Sequence, residues 1–405
     1  MSNYLTDKDK NDKIYTYQNL VTGRKRTQRS KNMGEIMARI SDALFGTKKR
    51  KIISITVIAI LAIVLIAYIA VTSVANSVMN KVTYVSDEEL NELIMSGEDV
   101  SDSDTVSGAD TLTAEEIAAA EEQMKNLSSS DLTADKDIYN ILVLGSDTRT
   151  KDVKLKTRTD VIIILTINKN TNKIVMSSIM RDSWVSVPGS GNKKINAACA
   201  KGGPKLAVKT VEKNFGVKID KFVMVNFYTF INVVDALGGV TVDVSANEMK
   251  TMNNYINEMN TKWGRDKDEN KLTTYGDGML LNGMQAMGYV RDRYDYDATS
   301  GEKNDHARTA RQREVLGKLI EKAKHTNVVD LLGIIDDVAD YVATDMTKDE
   351  IISLAKNSLE YKDYKIEQHR VPVDGSYKGG IFDGKYKMLI DFEKNKAKLH
   401  SWITE

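Results

Sequence analysis

Beyond residue 137 the hydrophobic positions follow two patterns that alternate along the chain. Short runs rich in β-branched residues predict strands, and longer stretches with apolar residues every three or four positions predict helices. The predicted strands cover residues 141–144, 161–167, 173–179, 221–225, 240–244 and 365–373. The predicted helices cover residues 204–215, 227–237, 280–290, 307–324, 328–342 and 347–360. This alternation predicts that residues 138–405 form an α/β domain with a central β-sheet between helical layers.

Turn and cap residues support several of these boundaries. Residues 168–172 have the composition of a hairpin turn between the second and third strands. Pro204 opens one helix and Gly216 follows its end, which is the usual asymmetry of helix termini. Residues 247–279 show no clear period and therefore predict an insertion or a lid.

A continuous apolar segment, residues 52–75, precedes the predicted domain. As a helix it would be about 36 Å long, which is enough to cross a bilayer core of about 30 Å. Basic residues at 48–51 precede it and an acidic stretch follows it, so the positive-inside rule places residues 1–51 in the cytoplasm. We interpret it as a single-pass signal anchor of the cell membrane, with the large domain outside. A cleaved signal peptide is the competing interpretation, because residues 73–75 resemble a cleavage site, but the segment and its preceding tail are too long.

The charges balance, with 57 basic and 57 acidic residues, but they are unevenly distributed. Residues 1–51 are basic and polar, which predicts a mostly disordered tail. Residues 76–137 are acidic and predict an extracellular stalk, in which Thr113 and Glu116 form a capping-box pattern that starts a short helix near 113–127. The chain has one cysteine, so no intrachain disulfide can stabilise an exported domain.

Two carboxylates follow and precede predicted strands in a way that suggests a metal site. Asp147 comes just after the strand at 141–144, and Asp160 comes just before the strand at 161–167. Ligands of α/β sheets bind at such strand ends. A Mg²⁺ ion would remove the repulsion between the two carboxylates and would share its coordination with substrate phosphates. A turn aspartate beside an ion-paired aspartate gives the same spacing.

Three further clusters combine arginine with polar partners. Arg181 and Asp182 end an apolar strand, where they would also fit a structural ion pair. Arg291 and Arg293 share one side of the backbone only if this segment is extended, and Arg308 and Gln312 share one face of a helix. Arginine suits a bidentate grip on phosphate oxygens, although a solvated charged face explains each cluster alone. If the four arginines converge, an anion or carboxylates such as Asp305 must compensate their charge.

Together these clusters resemble the LytR–CpsA–Psr family. The motifs LGSDTR, RTD, SIMRDSWVSVPG, KINAACAKGGP, KIDKFVMVNFYTFINVVDALGGVTVDV, LNGMQAMGYVRDR and DHARTARQ occur in the family's order and spacing. The resemblance runs from about residue 138 to the C-terminus, is dense through Gln312 and is weaker over residues 326–405. A single anchor helix before the domain fits the same family, and the resemblance implies that the central sheet is mixed.

The resemblance implies an enzyme that moves a glycopolymer of the teichoic acid or capsule type from a polyprenyl-pyrophosphate carrier to peptidoglycan. It implies Mg²⁺, or Mn²⁺ in its place, as the cofactor, with Asp147 and Asp160 as the metal-associated aspartates. The residues that it assigns to catalysis and to binding the pyrophosphate are Arg158, Arg181, Arg291, Arg293, Lys194, Arg308 and Gln312. The partners would be the lipid-linked donor, the peptidoglycan acceptor and membrane lipid.

Phosphoryl transfer needs mainly positioning and charge neutralisation, so the scattered histidines do not count against it. Asp160, Asp182 and Asp292 are all candidates for the general base. The apolar faces of residues 206–240 are candidates for a slot that takes the prenyl tail, although core packing gives the same pattern.

Other functions fit parts of the pattern. A polyprenyl-pyrophosphate hydrolase would use the same residues with water as the acceptor, and a non-catalytic glycopolymer-binding or regulatory membrane protein would use them without turnover. A transcription regulator is disfavoured, because no helix-turn-helix pattern precedes the predicted span and the large domain would lie away from DNA. No nucleic-acid partner is therefore expected.

Overall fold

A computed structural model describes residues 77, 81–95, 109–127, 135–146, 148–293, 304–358 and 360–405, which all belong to one compact unit, Ser73–Glu405. Its strands are β1 Thr83–Tyr84, β2 Ile138–Ser146, β3 Thr159–Asn168, β4 Lys173–Ile179, β5 Trp184–Val187, β6 Gly191–Lys194, β7 Lys221–Val225, β8 Val240–Val244, β9 Gly276–Leu281, β10 Val342–Thr344, β11 Lys365–Val371, β12 Tyr377–Phe382 and β13 Lys385–Ile390. Its α-helices are α1 Asp87–Met95, α2 Ala114–Lys125, α3 Ala197–Phe215, α4 Phe227–Ala236, α5 Ala246–Lys262, α6 Gly283–Arg291, α7 Asn304–His325, α8 Val328–Val338, α9 Lys348–Asn357 and α10 Phe392–Thr404.

Seven strands form the central sheet in the order β1-β10-β7-β2-β3-β4-β11. The sheet is mixed, because β2 and β3 run antiparallel whereas β7 and β11 lie parallel to β2 and β4. The α/β fold with a central mixed sheet is therefore confirmed. The hairpin turn at 168–172 is also present, with Asn172 in the left-handed region at φ 55°.

The two faces of the sheet have different roles, because successive side chains of a strand point to opposite sides. Ile162 and Ile164 of β3 are buried in the main core, against α3 and α10. Val161 and Ile163, which alternate with them, line a cavity on the other side. Helices α4, α5, α6 and α7 supply most of the rest of the wall of this cavity. The fold therefore places one open space between the sheet and a helical layer.

The acidic segment at 76–137 is not simply a stalk. Leu90 of α1 and Leu112, just before α2, are each 2% exposed and belong to the main core. Strand β1 pairs in parallel with β10 at the edge of the central sheet. The predicted short helix is present as α2, and the capping box of Thr113 and Glu116 is formed. The described parts of this segment thus belong to the folded domain, whose start lies before residue 138.

The region at 247–279, which was predicted to be an insertion or a lid, has regular secondary structure. This region contains most of α5, which runs to Lys262, and strand β9. Ser245 and Glu248 form a capping box at the start of α5. Met252, Ile256 and Met259 follow at helical spacing, and each is at most 1% exposed. These two signals are present in the sequence, but the polar residues between them mask the period.

No helix among the described residues is long and apolar enough to cross a bilayer. The predicted span at 52–75 and the predicted tail at 1–51 lie outside the described residues.

The close packing of α6 against α4 gives a prediction about stability. A Cβ at Gly283 would overlap the backbone carbonyl of Ile231, and the Gly283 amide donates a 2.7 Å hydrogen bond to Asp235. Gly283→Ala is therefore expected to lower the free energy of unfolding by about 2 kcal/mol, as overpacking does. A Cβ at Gly333 of α8 would meet nothing within 4 Å, so Gly333→Ala is the control. It should raise stability by about 0.5–1 kcal/mol, because alanine favours a helix. Urea unfolding of both variants tests this, and equal effects would contradict the close contact.

Candidate active site

The candidate site is a cavity of about 560 Å³ between the central sheet and helices α4, α6 and α7. One part of its wall is apolar and comes from all four elements. These residues are Val143, Val161, Ile163, Val225, Phe227, Phe230, Val233, Met287, Val290, Leu316 and Leu319. The slot predicted from residues 206–240 is only partly correct, because α4 lines the cavity whereas Leu206 and Val211 of α3 are buried in the core beyond the sheet.

The other part of the wall is polar and rich in arginine. The charged and polar residues here are Ser146, Arg149, Asp160, Arg181, Asn226, Thr229, Tyr255, Glu258, Arg291, Arg293, Arg308 and Gln312. The structure thus brings the four predicted arginines, at 181, 291, 293 and 308, to one cavity together with Asp160. Arginines that line an enclosed space repel one another, so carboxylates or a bound anion must compensate them.

Two carboxylates compensate the arginines at the sheet edge. Asp160 accepts a 2.9 Å hydrogen bond from Nη1 of Arg181 and lies 3.8 Å from Nη1 of Arg308. Asp305 lies 2.7 Å from Nη2 of Arg308 and 3.6 Å from Nε of Arg181. Each carboxylate therefore touches both guanidinium groups. The predicted compensation by Asp305 is present in the structure.

The charge state of Asp160 follows from this cluster. Burial alone would raise its pKa, but the charges of Arg181 and Arg308 and hydrogen bonds from Arg181 and Asn196 outweigh burial. The net effect lowers the pKa of Asp160 below its ordinary value. The carboxylate is therefore ionised at neutral pH and can act as an oxygen ligand for a cation.

Glu258 of α5 joins a second pair of arginines on the same wall. Its Oε1 lies 2.6 Å from Nη1 of Arg149, and its Oε2 lies 3.3 Å from Nη2 of Arg291. The guanidinium of Arg291 also packs 4.4 Å from the ring centroid of Tyr255 and 5.2 Å from that of Phe227. Burial lowers the pKa of Arg291, and the nearby charge of Glu258 only partly offsets this. The buried Nη1 of Arg291 has no hydrogen-bond partner among the described residues.

Arg291 and Arg293 reach the cavity by a route that the extended-strand hypothesis did not describe. Arg291 is the last residue of α6, and the chain becomes extended at Asp292, with φ −65° and ψ 125°. The helix end and the extended residue together bring both arginines to the wall. Asp292 points away and is 0% exposed.

The other predicted site residues are placed less uniformly. Gln312 lines the cavity, and its Nε2 donates a 3.4 Å hydrogen bond to the carbonyl of Val290. Arg158 and Lys194 are not part of the cavity wall. Lys194 is 2% exposed, and its Nζ lies 3.1 Å from Asp182. Lys194 thus contacts Asp182 and not the cavity, and its predicted role in binding the pyrophosphate stays a prediction.

Asp147 lies outside the described residues, so its predicted pairing with Asp160 stays a prediction. Within the described ranges, no three His, Cys, Asp or Glu side chains are grouped as a metal site. Asp160 nevertheless supplies an ionised carboxylate at the cavity wall, and such an oxygen ligand suits Mg²⁺.

The three candidates for the general base differ in their access to the cavity. Asp182 has a pKa raised by burial, against the opposing charges of Arg181 and Lys194, but it does not line the cavity. Asp292 is fully buried. Asp160 is the one of the three that lines the wall, although its lowered pKa makes it a weak base.

Several residues of the site are not predicted by the sequence patterns. Arg149 stands in the LGSDTR motif, which is the signal that could have identified it. Tyr255 and Glu258 lie on α5, within the region that shows no clear period, and helical spacing would have placed them on one face. Asn226 caps α4 and donates a 2.9 Å hydrogen bond to the carbonyl of Lys151, so it ties α4 to the loop after Arg149.

The histidine beside this site gives a prediction about pH. Burial, aided by the charge of Arg370, lowers the pKa of His306 to about 4 from its ordinary 6.5, while its ring packs against Tyr377. The unfolded chain binds a proton at this residue as the pH falls below 6.5, whereas the folded chain does so only near 4. Stability contributed by neutral His306 is therefore complete above pH 6.5 and is lost as the pH falls from 6.5 to 4.

Between pH 7 and pH 4.5 the wild-type chain should lose about 2 kcal/mol more stability than His306→Asn does. Urea unfolding of both proteins at pH 7 and pH 4.5 measures these losses. Comparing the two proteins cancels the contributions of the groups that they share. Parallel losses in the two proteins would show that His306 is not held neutral by burial.

The fold and the cavity define an α/β domain that can hold an anionic group among arginines and an apolar chain beside it. A sequence profile of the LytR_cpsA_psr family matches residues 105–398, and the chain belongs to this family. It is 32% identical over 279 residues to the polyisoprenyl-teichoic acid–peptidoglycan teichoic acid transferase TagU of Oceanobacillus iheyensis, which covers 66% of this chain and 76% of the relative.

A second relative is the TagU of Bacillus subtilis, which is 32% identical over 252 residues and covers 61% of this chain and 72% of the relative. Among solved structures, TagT bound to LI-WTA matches with a TM-score of 0.52 and 26% identity, over 68% of this chain and 96% of that chain. The structural match supports the fold and the position of the sheet against its helices.

Proposed function

We propose that the chain is a phosphotransferase that moves a glycopolymer from a polyprenyl-pyrophosphate carrier to peptidoglycan. The observation that carries this function is that one cavity joins an apolar wall to a cluster of arginines. A lipid diphosphate has the matching two parts, an apolar chain and a doubly anionic head. Burying each methylene contributes about 0.8 kcal/mol, so a few isoprene units hold the donor firmly. The names of the TagU relatives support a teichoic acid as the polymer.

The reaction is a displacement at phosphorus. A hydroxyl oxygen of the acceptor sugar forms a bond to the phosphorus that carries the polymer, and the bond from that phosphorus to the bridging oxygen breaks. Polyprenyl phosphate leaves with the bonding electrons, and the product is a phosphodiester. Arg181 after β4, Arg308 of α7 and Arg291 at the end of α6 stabilise the charge that develops on the phosphoryl oxygens. Of the three candidate bases, Asp160 is the one at the cavity wall, so the hydroxyl proton would pass to its carboxylate, which is a weak base.

Magnesium fits this site as a proposed cofactor. Asp160 is ionised and lines the cavity, and Asp147 follows β2 in the sequence. These two residues would hold Mg²⁺, or Mn²⁺ in its place, and the ion would neutralise charge on the diphosphate. The arginines of the cavity would share that task.

The proposed enzyme works outside the cell membrane, anchored by residues 52–75. Protease added to intact protoplasts should remove the domain at 138–405 and spare the tail at 1–51. An epitope tag at each end of the chain allows the two parts to be detected on a gel. A domain that stays protected until the membrane is opened would refute this topology.

A transfer assay tests the proposed function. The full-length chain, reconstituted in vesicles, is supplied with a polyprenyl-pyrophosphate-linked teichoic acid and peptidoglycan. Polymer bound to peptidoglycan and free polyprenyl phosphate should form in equal amounts, and neither should form without the acceptor. Free polymer in the absence of peptidoglycan would identify a hydrolase instead. Tight donor binding without any product would identify a non-catalytic binding protein.

A further inference from the structure

A fully buried arginine stands behind the cavity and is not part of its wall. Arg311 of α7 is 0% exposed. Its Nη2 and Nε donate hydrogen bonds of 2.7 and 3.2 Å to Oε1 of Glu248, in the first turn of α5. Its Nη2 also lies 3.8 Å from the carboxylate of Asp292, which is itself 0% exposed. One buried guanidinium therefore connects α7, α5 and the end of α6.

The contact with Asp292 reaches the backbone as well as the side chain. Nη1 of Arg311 donates a 3.2 Å hydrogen bond to the carbonyl oxygen of Asp292. Asp292 is the residue at which the chain leaves α6 and becomes extended, and it separates Arg291 from Arg293. Fixing this backbone unit therefore fixes the directions in which the two cavity arginines leave the chain.

Arg311 also ties these two arginines to the opposite side of the site. It lies one helical turn after Arg308, which faces the cavity on the same helix. The neighbouring Gln312 donates a hydrogen bond to the carbonyl of Val290, in the last turn of α6. Helix α7 thus presents Arg308 to the ligand and holds the end of α6 in register with it.

We propose that Arg311 is a positioning residue, which sets the distance between the arginines at the end of α6 and those at the sheet edge. This inference rests on the proposed phosphotransferase function. A misplacement of catalytic groups by about 1 Å can cost about a hundredfold in rate, so an anchor of this kind matters. The pair of acidic partners needs a cation, and arginine can bond Glu248 and the Asp292 carbonyl at the same time.

The test substitutes lysine, which keeps the buried positive charge but loses the planar fork. In the full-length chain, Arg311→Lys should lower kcat for transfer at least tenfold per folded molecule, with a smaller change in KM. The prenyl slot and Arg181 still bind the donor in this variant. Arg313→Lys is the matched control, because Arg313 is on the same helix, is 8% exposed and does not line the cavity. It should leave kcat within threefold.

A double-mutant cycle separates positioning from general stability. If Arg311 acts through Arg293, then Arg311→Lys should add little to the loss caused by Arg293→Lys. The same change should multiply the loss caused by Arg181→Lys, because Arg181 follows β4 and is not part of α6. The proposal would be overturned if Arg311→Lys lowers the melting temperature but leaves kcat per folded molecule at the wild-type level. It would also be overturned if Arg311→Lys lowers kcat by the same factor in the Arg293→Lys and Arg181→Lys backgrounds.

A second variant guards against misfolding of Arg311→Lys. Glu248→Gln keeps the capping box of α5 but weakens the hold on Arg311. It should lower kcat in the same direction, and its effect should vanish in the Arg293→Lys background. Wild-type kcat in this variant would overturn the proposal. Absence of transfer by the wild-type chain would instead refute the proposed function. In that case the same double-mutant cycles would be measured with the dissociation constant for inorganic pyrophosphate in place of kcat.

Discussion

Arg308→Lys is expected to lower the rate of transfer by about 100-fold. Arg308 lines the cavity, is 7% exposed and lies 2.7 Å from Asp305. Its Nη2 contacts Asp305 and its Nη1 lies 3.8 Å from Asp160, so one guanidinium connects both carboxylates of this cluster. Lysine keeps the charge but cannot bond Asp305 and the head group with one rigid fork. Single-turnover transfer with a saturating donor measures the change.

The control for this prediction is Lys324→Arg, near the C-terminal end of the same helix. Lys324 is 6% exposed, donates a 2.8 Å hydrogen bond to the carbonyl of Tyr364 and does not line the cavity. Its transfer rate should equal that of the wild-type chain. A rate for Arg308→Lys within threefold of the wild type would remove Arg308 from the phosphate-binding group.

Asp160→Asn is expected to reduce transfer by about 100- to 1,000-fold. The amide keeps the shape of the side chain, but it removes the charge that Arg181 and Arg308 share at 2.9 and 3.8 Å. It also removes the proposed oxygen ligand for Mg²⁺ and the group placed to take the hydroxyl proton. The rate of the wild-type chain should rise with Mg²⁺ after treatment with a chelator, whereas the rate of the variant should stay low at every concentration.

Asp345→Asn is the control for the loss of a half-buried carboxylate. Burial raises the pKa of Asp345, which accepts a 2.9 Å hydrogen bond from the amide of Phe222 and does not line the cavity. This variant should transfer polymer at the wild-type rate. If Asp160→Asn keeps the response of the wild type to Mg²⁺, the proposed metal site is wrong.

The elements of the sheet that carry long apolar runs could be predicted from the sequence. Strands β3 and β4 are buried, and their β-branched residues give a clear signal. Strand β1 has only two residues and gained its place by pairing with β10, which no local pattern reveals. Helix α1 could not be placed in the domain from a local pattern either, because its first turn is acidic although its Leu90 is buried.

The arginines of the site could be predicted from motifs, but most of their partners could not. Glu258 lies 2.6 Å from Arg149 although 109 positions separate them in the chain. Lys194 belongs to a motif as Arg181 does, yet it is buried behind Asp182. The position of Lys194 depends on how the hairpin of β5 and β6 is oriented. No pattern in the sequence gives that orientation.

Strand pairing between distant parts of the chain has a consequence for the order of folding. Thr83 of β1 lies beside Ala343, and the amide of Leu112 bonds the carbonyl of Ile381. Neither early segment finds its partner until nearly the whole chain has been made, and such non-local pairing is slow to form. Until then the apolar side chains of Leu90 and Leu112, which are buried in the finished domain, stay in water. A newly made chain therefore passes through an aggregation-prone stage that ends only when its last strands arrive.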